Sequence, residues 1–115
     1  MTLPLILIIA FQTAPAPDRR LMSYGETVRC AGLTQAASEL EGGESREGKA
    51  LSDAALYWSL TAGQAAVTAG KSAVTADSEQ AQARIRATRE LSAAATQLQA
   101  RSDLDQCRRR TPDLG

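Results

Sequence analysis

The sequence predicts an all-α protein, a small antiparallel helical bundle of three main helices followed by a short C-terminal helix. Two observations favour this class. No proline occurs between Pro17 and Pro112, and this interval is rich in alanine, leucine, glutamine, glutamate and arginine, which favour helices. The same interval contains only three valines and one isoleucine, so little in it favours strands. Short connections between the helices favour antiparallel neighbours.

The N-terminal segment, residues 1–16, is predicted to be a secretory signal peptide. Residues 3–11 are uncharged and mostly aliphatic. A helix of this length reaches only about 14 Å, less than half of the hydrocarbon core of a bilayer. Residues 14–16, Ala-Pro-Ala, supply the small side chains of a cleavage site. Because the first two residues carry no Lys or Arg, a buried N-terminal strand or helix is the alternative. Residues 17–22 are predicted to be a linker.

The first helix is predicted over residues 23–40, at the start of a helical domain that covers residues 23–110. Gly42 and Gly43 are expected to end it, since glycine adopts a left-handed cap without steric strain. The predicted inner face of this helix comprises Cys30, Leu33, Ala37 and Leu40.

The second helix is predicted from Lys49 or Ala50 to Ala69. It has no charged residue from Ala54 through Gly70 and is apolar nearly all round. Such a helix is expected to be the buried central element of the bundle. Its small residues at four-residue spacing would allow neighbouring helices to approach closely.

The third helix is predicted over residues 78–101, with Asp77 and Gln80 as a capping box. A break at Ser102 and a short fourth helix over residues 103–110 are expected to follow. The alternative is one continuous helix over residues 78–110, and residues 111–115 are predicted to be a tail. The inner face of the third helix is expected to comprise Ala87, Leu91, Ala94, Ala95 and Leu98, and that of the fourth Leu104 and Cys107.

The two cysteines, Cys30 and Cys107, are predicted to form a disulfide. An even number of cysteines in a small exported domain is typical of such a crosslink. Each cysteine is expected to lie on an inward face, and a chain that turns back after the third helix would bring them together. The alternative is a pair of buried free thiols.

The composition excludes several classes of activity. The chain has no histidine, so that His-based catalysis and ordinary Cys-His zinc sites are excluded, and we expect no metal and no cofactor. Its formal net charge is zero and it has four aromatic residues, which disfavours nucleic-acid binding. Residues 70–72, Gly-Lys-Ser, lack the remaining glycine and the preceding strand of a phosphate-binding loop. Residues 108–110, three arginines, are interpreted as a charge cluster that suits a helix C-terminus.

The sequence predicts a small exported, non-enzymatic helical protein that acts as a binding, accessory or chaperone-like module in the periplasm or outside the cell. Outside residues 1–11, only 18 large apolar residues are available for the core, so contact with another envelope protein would add burial. Membrane contact is expected only through the N-terminal signal. Tyr57 and Trp58, the only adjacent aromatic pair, are interpreted as core residues or as an anchor for a partner or ligand.

Two alternatives to the binding module remain open at this stage. One is a small-ligand carrier with a pocket between helices around Tyr57, Trp58 and Leu91. The other is an enzyme that would use carboxylates such as Glu26 or Asp53.

Overall fold

The computed structural model describes residues 22–112, and within this range the chain forms four α-helices and no strand. The predicted all-α helical bundle is therefore confirmed. The predicted signal peptide, residues 1–16, lies outside the described residues. Turns of four residues connect the helices, which are α1 (Tyr24–Glu41), α2 (Arg46–Thr68), α3 (Ala73–Ser92) and α4 (Gln97–Arg109).

The central element is α1, not the second helix as the sequence predicted. It packs against α2, α3 and α4. The hydrophobic pattern did not predict that α1 is central, because three of its buried residues, Thr27, Thr34 and Ser38, are polar. Their hydroxyl groups donate hydrogen bonds to carbonyl oxygens of the same helix, for example from Thr34 to Cys30 at 2.7 Å, so that burial leaves none of them unpaired.

The predicted first helix is close to the observed one. Ser23 and Glu26 form a capping box, in which each side chain accepts a hydrogen bond from the other residue's backbone N–H. Gly42 ends α1 with a φ of 87°. Leu40 is 54% exposed, so its predicted place on the inner face is wrong, because its side chain lines an open cleft and is not packed into the core.

The second and third helices begin earlier than the sequence predicted. Ser45 caps α2 and accepts a hydrogen bond from the Gly48 N–H, and Ser72 caps α3 in the same way from the Thr75 N–H. The pair Asp77 and Gln80 lies inside α3 and does not cap it. Each serine satisfies a backbone donor that would otherwise have no partner in the first helical turn.

The break between the last two helices is at residues 93–96, not at Ser102 as predicted. Two side chains beyond the break bind carbonyl oxygens in the last turn of α3: Thr96 donates to Glu90 O at 2.8 Å, and Gln97 donates to Leu91 O at 3.2 Å. This earlier break exposes three residues that the sequence placed on the inner face, Ala94, Ala95 and Leu98. The predicted burial of Leu104 and Cys107 is confirmed.

A close approach between helices lies at Gly32 of α1, where α3 crosses it. A Cβ atom built on Gly32 would lie 2.6 Å from the carbonyl carbon of Ala83 and 2.8 Å from its Cβ. Both are too short for nonbonded contact, so only glycine permits this crossing. The core consists largely of alanine, and close backbone approach gives it the packing density that large side chains would otherwise supply.

We expect Gly32→Ala to lower the free energy of unfolding by about 1–3 kcal/mol, the usual cost of overpacking a rigid core. The added methyl group meets backbone atoms of Ala83, which cannot rotate away. Gly63→Ala is the matched control, because a Cβ at Gly63 meets no atom within 4 Å. That substitution should instead stabilise α2 by about 0.5–1 kcal/mol. Urea denaturation of dilute protein measures both, and equal effects of the two variants would contradict the close crossing.

Candidate functional site

Cys30 and Cys107 form a disulfide between α1 and α4, as the sequence predicted. Their Cα atoms lie 5.5 Å apart, and both residues are only 4% exposed. This separation is within the range of protein disulfides. The crosslink is compatible with folding in an oxidising compartment.

Trp58 is a core residue, whereas Tyr57 beside it is only partly buried. The indole is 1% exposed, and its N–H donates a hydrogen bond to the Thr111 hydroxyl at 2.8 Å. The Tyr57 ring meets it edge to face, with the ring centroids 5.0 Å apart. Trp58 therefore presents no surface to a partner in this structure, and the anchor role of the pair stays a prediction.

The most distinctive surface feature is a line of residues on the outer side of α2, which we call the α2 stripe: Leu56, Leu60, Gly63 and Val67. Their successive spacings of four, three and four residues place them within an arc of about 60° on the helix. Leu56 and Leu60 are each 61% exposed and Val67 is 79% exposed. Since the segment from Ala54 through Gly70 carries no charge, the stripe is both apolar and electrically neutral.

The opposite face of α2 explains why the stripe is exposed. The buried residues of this helix are small apart from two, Leu51 and Trp58. The sequence predicted that α2 would be the buried central helix, but none of the other three helices covers its outer face. The buried residues of α2 are Gly48, Leu51, Ala54, Ala55, Trp58, Ala62 and Ala66.

Leu91 of α3, the third residue of the predicted ligand pocket, lines a cleft of about 340 Å³ to which all four helices contribute. Neither Tyr57 nor Trp58 lines this cleft. Its wall combines apolar side chains with the Glu47–Arg108 pair, whose two hydrogen bonds measure 2.5 and 3.2 Å. The lining residues are Ala37, Leu40, Glu41, Glu47, Leu51, Leu91, Arg101, Leu104, Asp105 and Arg108.

The charged side chains mainly connect helices. Arg29 donates to Glu90 of α3 at 2.6 Å and to Asp103 of α4 at 3.0 Å, so that one guanidinium joins three helices beside the disulfide. The hydrogen bonds from Arg108 hold the pKa of Glu47 below its ordinary value. The arginine cluster lies at the C-terminal end of α4, as predicted, where its charge suits the helix dipole.

The carboxylates considered for catalysis lie apart from one another. Glu26 serves the capping box of α1, and Asp53 is exposed on α2. Over residues 22–112, no group of three or more His, Cys, Asp or Glu residues is placed to hold a metal ion. In that same range no helix is long and apolar enough to cross a membrane.

Tyr24 has a raised pKa that can be tested directly. Its hydroxyl donates to Glu79 at 2.7 Å, and the Lys71 ammonium lies 5.1 Å from the centre of its ring. Burial and then the Glu79 carboxylate raise the pKa of Tyr24 to about 12. Because the folded-state value is the higher one, this contribution to stability is present below pH 10 and is lost as the pH rises from 10 towards 12.

Absorbance titration of the phenolate measures this value in the Tyr57→Phe variant, in which Tyr24 is the only tyrosine. We expect a midpoint near 12 that falls towards the ordinary value when Glu79→Gln is added. A midpoint near 10 in both variants would contradict the hydrogen bond.

No family of proteins, curated protein sequence or solved structure matches this chain. The α2 stripe is the feature that points most directly to a ligand, because exposed aliphatic side chains on one helical face are typical of protein-binding surfaces.

Proposed function

We propose that this protein is a small exported, non-enzymatic module that binds another protein of the cell envelope through the α2 stripe, as an accessory or chaperone-like factor. The exposure of Leu56, Leu60 and Val67 along one neutral helical face is the observation that carries this proposal. Complete burial of one such side chain is worth about 1.5–3 kcal/mol, so a partner that covers the stripe gains a large part of its binding energy there.

The proposed envelope location is supported by two independent features. The disulfide between Cys30 and Cys107 suits a compartment in which thiols are oxidised. The apolar segment over residues 3–11 has the length of a secretory signal core. Together they favour the periplasm or the extracellular space.

A photoreactive amino acid in place of Leu60 tests the binding surface in cells. We expect crosslinked adducts with another envelope protein from position 60. The matched control is position 98, since Leu98 is even more exposed, at 83%, but lies on α4. Leu56→Gln in the same chain should reduce the yield at position 60, because it makes the stripe polar. Equal yields from positions 60 and 98 would contradict the proposal.

The proposed export predicts the behaviour of a reporter fusion. A C-terminal alkaline phosphatase, which is active only in the periplasm, should be active when fused to the full chain. Deletion of residues 1–16 should abolish this activity. An inactive full-length fusion, alongside an active cytoplasmic reporter at the same site, would contradict the proposed compartment.

A small-ligand carrier is the second candidate, and the cleft beside Leu91 favours it. Its volume of about 340 Å³ is at the lower end of the range for small-molecule sites. Native mass spectrometry of protein purified from the periplasm tests this function. A co-purifying small molecule that is lost on Leu40→Trp, which enlarges an exposed side chain in the wall of the same cleft, would favour the carrier over the binding module.

A further inference from the structure

The α2 stripe has a spacing that suits a second copy of this chain. Its separations of four, three and four residues read the same in both directions along the helix. When two α2 helices lie antiparallel, Leu56 of one copy therefore faces Val67 of the other, and Leu60 faces Gly63. We propose that the stripe pairs two copies of the protein in this arrangement. The inference deepens the proposed function, on which it rests for the stripe as a protein-binding surface.

Gly63 lies inside α2, in the middle of the stripe. A glycine inside a helix destabilises it by about 1 kcal/mol relative to alanine, and such a residue usually has a packing reason. Within the described residues, no packing contact requires glycine at position 63, because a Cβ at this position would meet no atom within 4 Å. Gly32 in α1 shows the opposite situation, since Ala83 fills the space beside it. In the antiparallel pair, the side chain of Leu60 from the second copy fills the space over Gly63.

The fit of Leu60 over Gly63 favours the antiparallel orientation. A parallel pair in register would set Leu60 against Leu60 and Gly63 against Gly63, which leaves the space over Gly63 unfilled. The nearest charges do not select an orientation, because Lys71 follows the end of α2 and its ammonium lies 3.6 Å from Glu79 and 5.1 Å from the centre of the Tyr24 ring. The formal net charge of zero adds no overall repulsion between two copies.

The size of the contact sets the expected affinity. From Leu56 to Val67 the stripe extends over about 16 Å, or three helical turns. One helix pair of this length buries less than the roughly 1,200 Å² of a standard stable interface. The dimer is therefore expected to have a micromolar dissociation constant and to release the stripe to a stronger partner.

Sedimentation velocity of the purified, oxidised protein over about 10–500 µM tests the pairing. The mean mass should rise with concentration towards twice that of the monomer. Leu60→Gln and Gly63→Leu should each weaken association at least about tenfold, one by making the stripe polar and the other by filling the space that receives Leu60. Leu98→Gln is the matched control and should leave the association of the two copies unchanged. Thermal unfolding of dilute samples verifies that each variant is folded.

Cysteine crosslinking tests the orientation. In an equal mixture of Leu56→Cys and Val67→Cys chains, oxidation should join one variant to the other. Leu56→Cys alone should give few crosslinked dimers, because the two positions 56 would lie about 16 Å apart along the axis. Efficient crosslinking of Leu56→Cys to itself would overturn the antiparallel arrangement.

Two results separate this inference from the proposed function. If the protein stays monomeric at every concentration while position 60 still crosslinks to another envelope protein, the pairing is wrong and the binding function stands. If the dimer forms and position 60 crosslinks only to a second copy, the pairing is supported and the proposed heterologous partner is wrong.

Discussion

Replacement of Trp58 by alanine should lower the free energy of unfolding by about 3–5 kcal/mol, the usual cost of removing a large buried aromatic side chain. Trp58 is the largest residue of the core and is 1% exposed. Few large side chains surround it, since most of the core is alanine, so its neighbours cannot expand into the space that it leaves. For a domain of this size, the loss is a large fraction of the total stability.

Urea denaturation measures the effect of Trp58→Ala by circular dichroism. Trp58→Phe is the matched variant, since it keeps the apolar ring and removes the hydrogen bond to Thr111; it should cost clearly less. In the unaltered protein, the single tryptophan should emit at a blue-shifted wavelength that moves to the red on unfolding. Native emission near that of free tryptophan, or a loss below about 1 kcal/mol in Trp58→Ala, would show that Trp58 is not in the core.

Removal of the disulfide should have an effect of similar size. The bridge joins residues separated by 77 positions, and closing a loop of this length stabilises the folded state by about 4 kcal/mol in the chain-entropy treatment. The double variant Cys30→Ala/Cys107→Ala should therefore unfold at a much lower urea concentration than the oxidised protein. Because both positions are buried, alanine leaves no unpaired polar group there.

The reduced protein provides the control for this prediction. A thiol reductant should destabilise the unaltered chain and leave the double alanine variant unchanged. Mass spectrometry of protein from the periplasm should show a mass about 2 Da below that of the dithiol form, with neither cysteine alkylated after denaturation. Two cysteines that react fully with the alkylating reagent would contradict the crosslink in the native protein.

The fold class and the cysteine pairing could be predicted because they depend on long-range features of composition. A 94-residue interval without proline, rich in helix formers, leaves little choice of secondary structure. The two cysteines have only each other as partners. The start of α1 was also predictable, since Ser23 and Glu26 have the spacing of a capping box.

The helix boundaries that were missed depend on single side chains at the turns. Ser45 caps a helix whose first four residues, Arg-Glu-Gly-Lys, have no apolar side chain, so the hydrophobic pattern did not reveal its start. Ser72 was missed for another reason, because Asp77 and Gln80, further along the chain, also have the spacing of a capping box. The break at residues 93–96 falls in a run that begins with three alanines, which by themselves favour a helix. Hydrogen bonds from Thr96 and Gln97 back to α3 accompany the break, and such contacts cannot be recognised before the turn is known.

The exposure of the α2 stripe could not be predicted, for the same reason that the central helix was predicted wrongly. Leu56, Leu60 and Val67 give α2 the composition of a buried helix, whereas the internally bonded hydroxyls of Thr27 and Thr34 give α1 the composition of a surface one. Composition alone ranks α2 as the more buried of the two. In the structure, α1 packs against all three other helices and is the more buried helix, whereas the outer face of α2 is exposed.

The position of the disulfide has a consequence for the response to proteases. Cys30 lies in the first helix and Cys107 in the last, so the bond spans all three turns between helices. A single cut in any of these turns leaves both fragments attached to one another. The nicked protein would keep its mass, apart from one added water, and could keep its helices packed; only reducing electrophoresis would separate the pieces. The crosslinked protein therefore tolerates one cleavage event without losing a helix to diffusion.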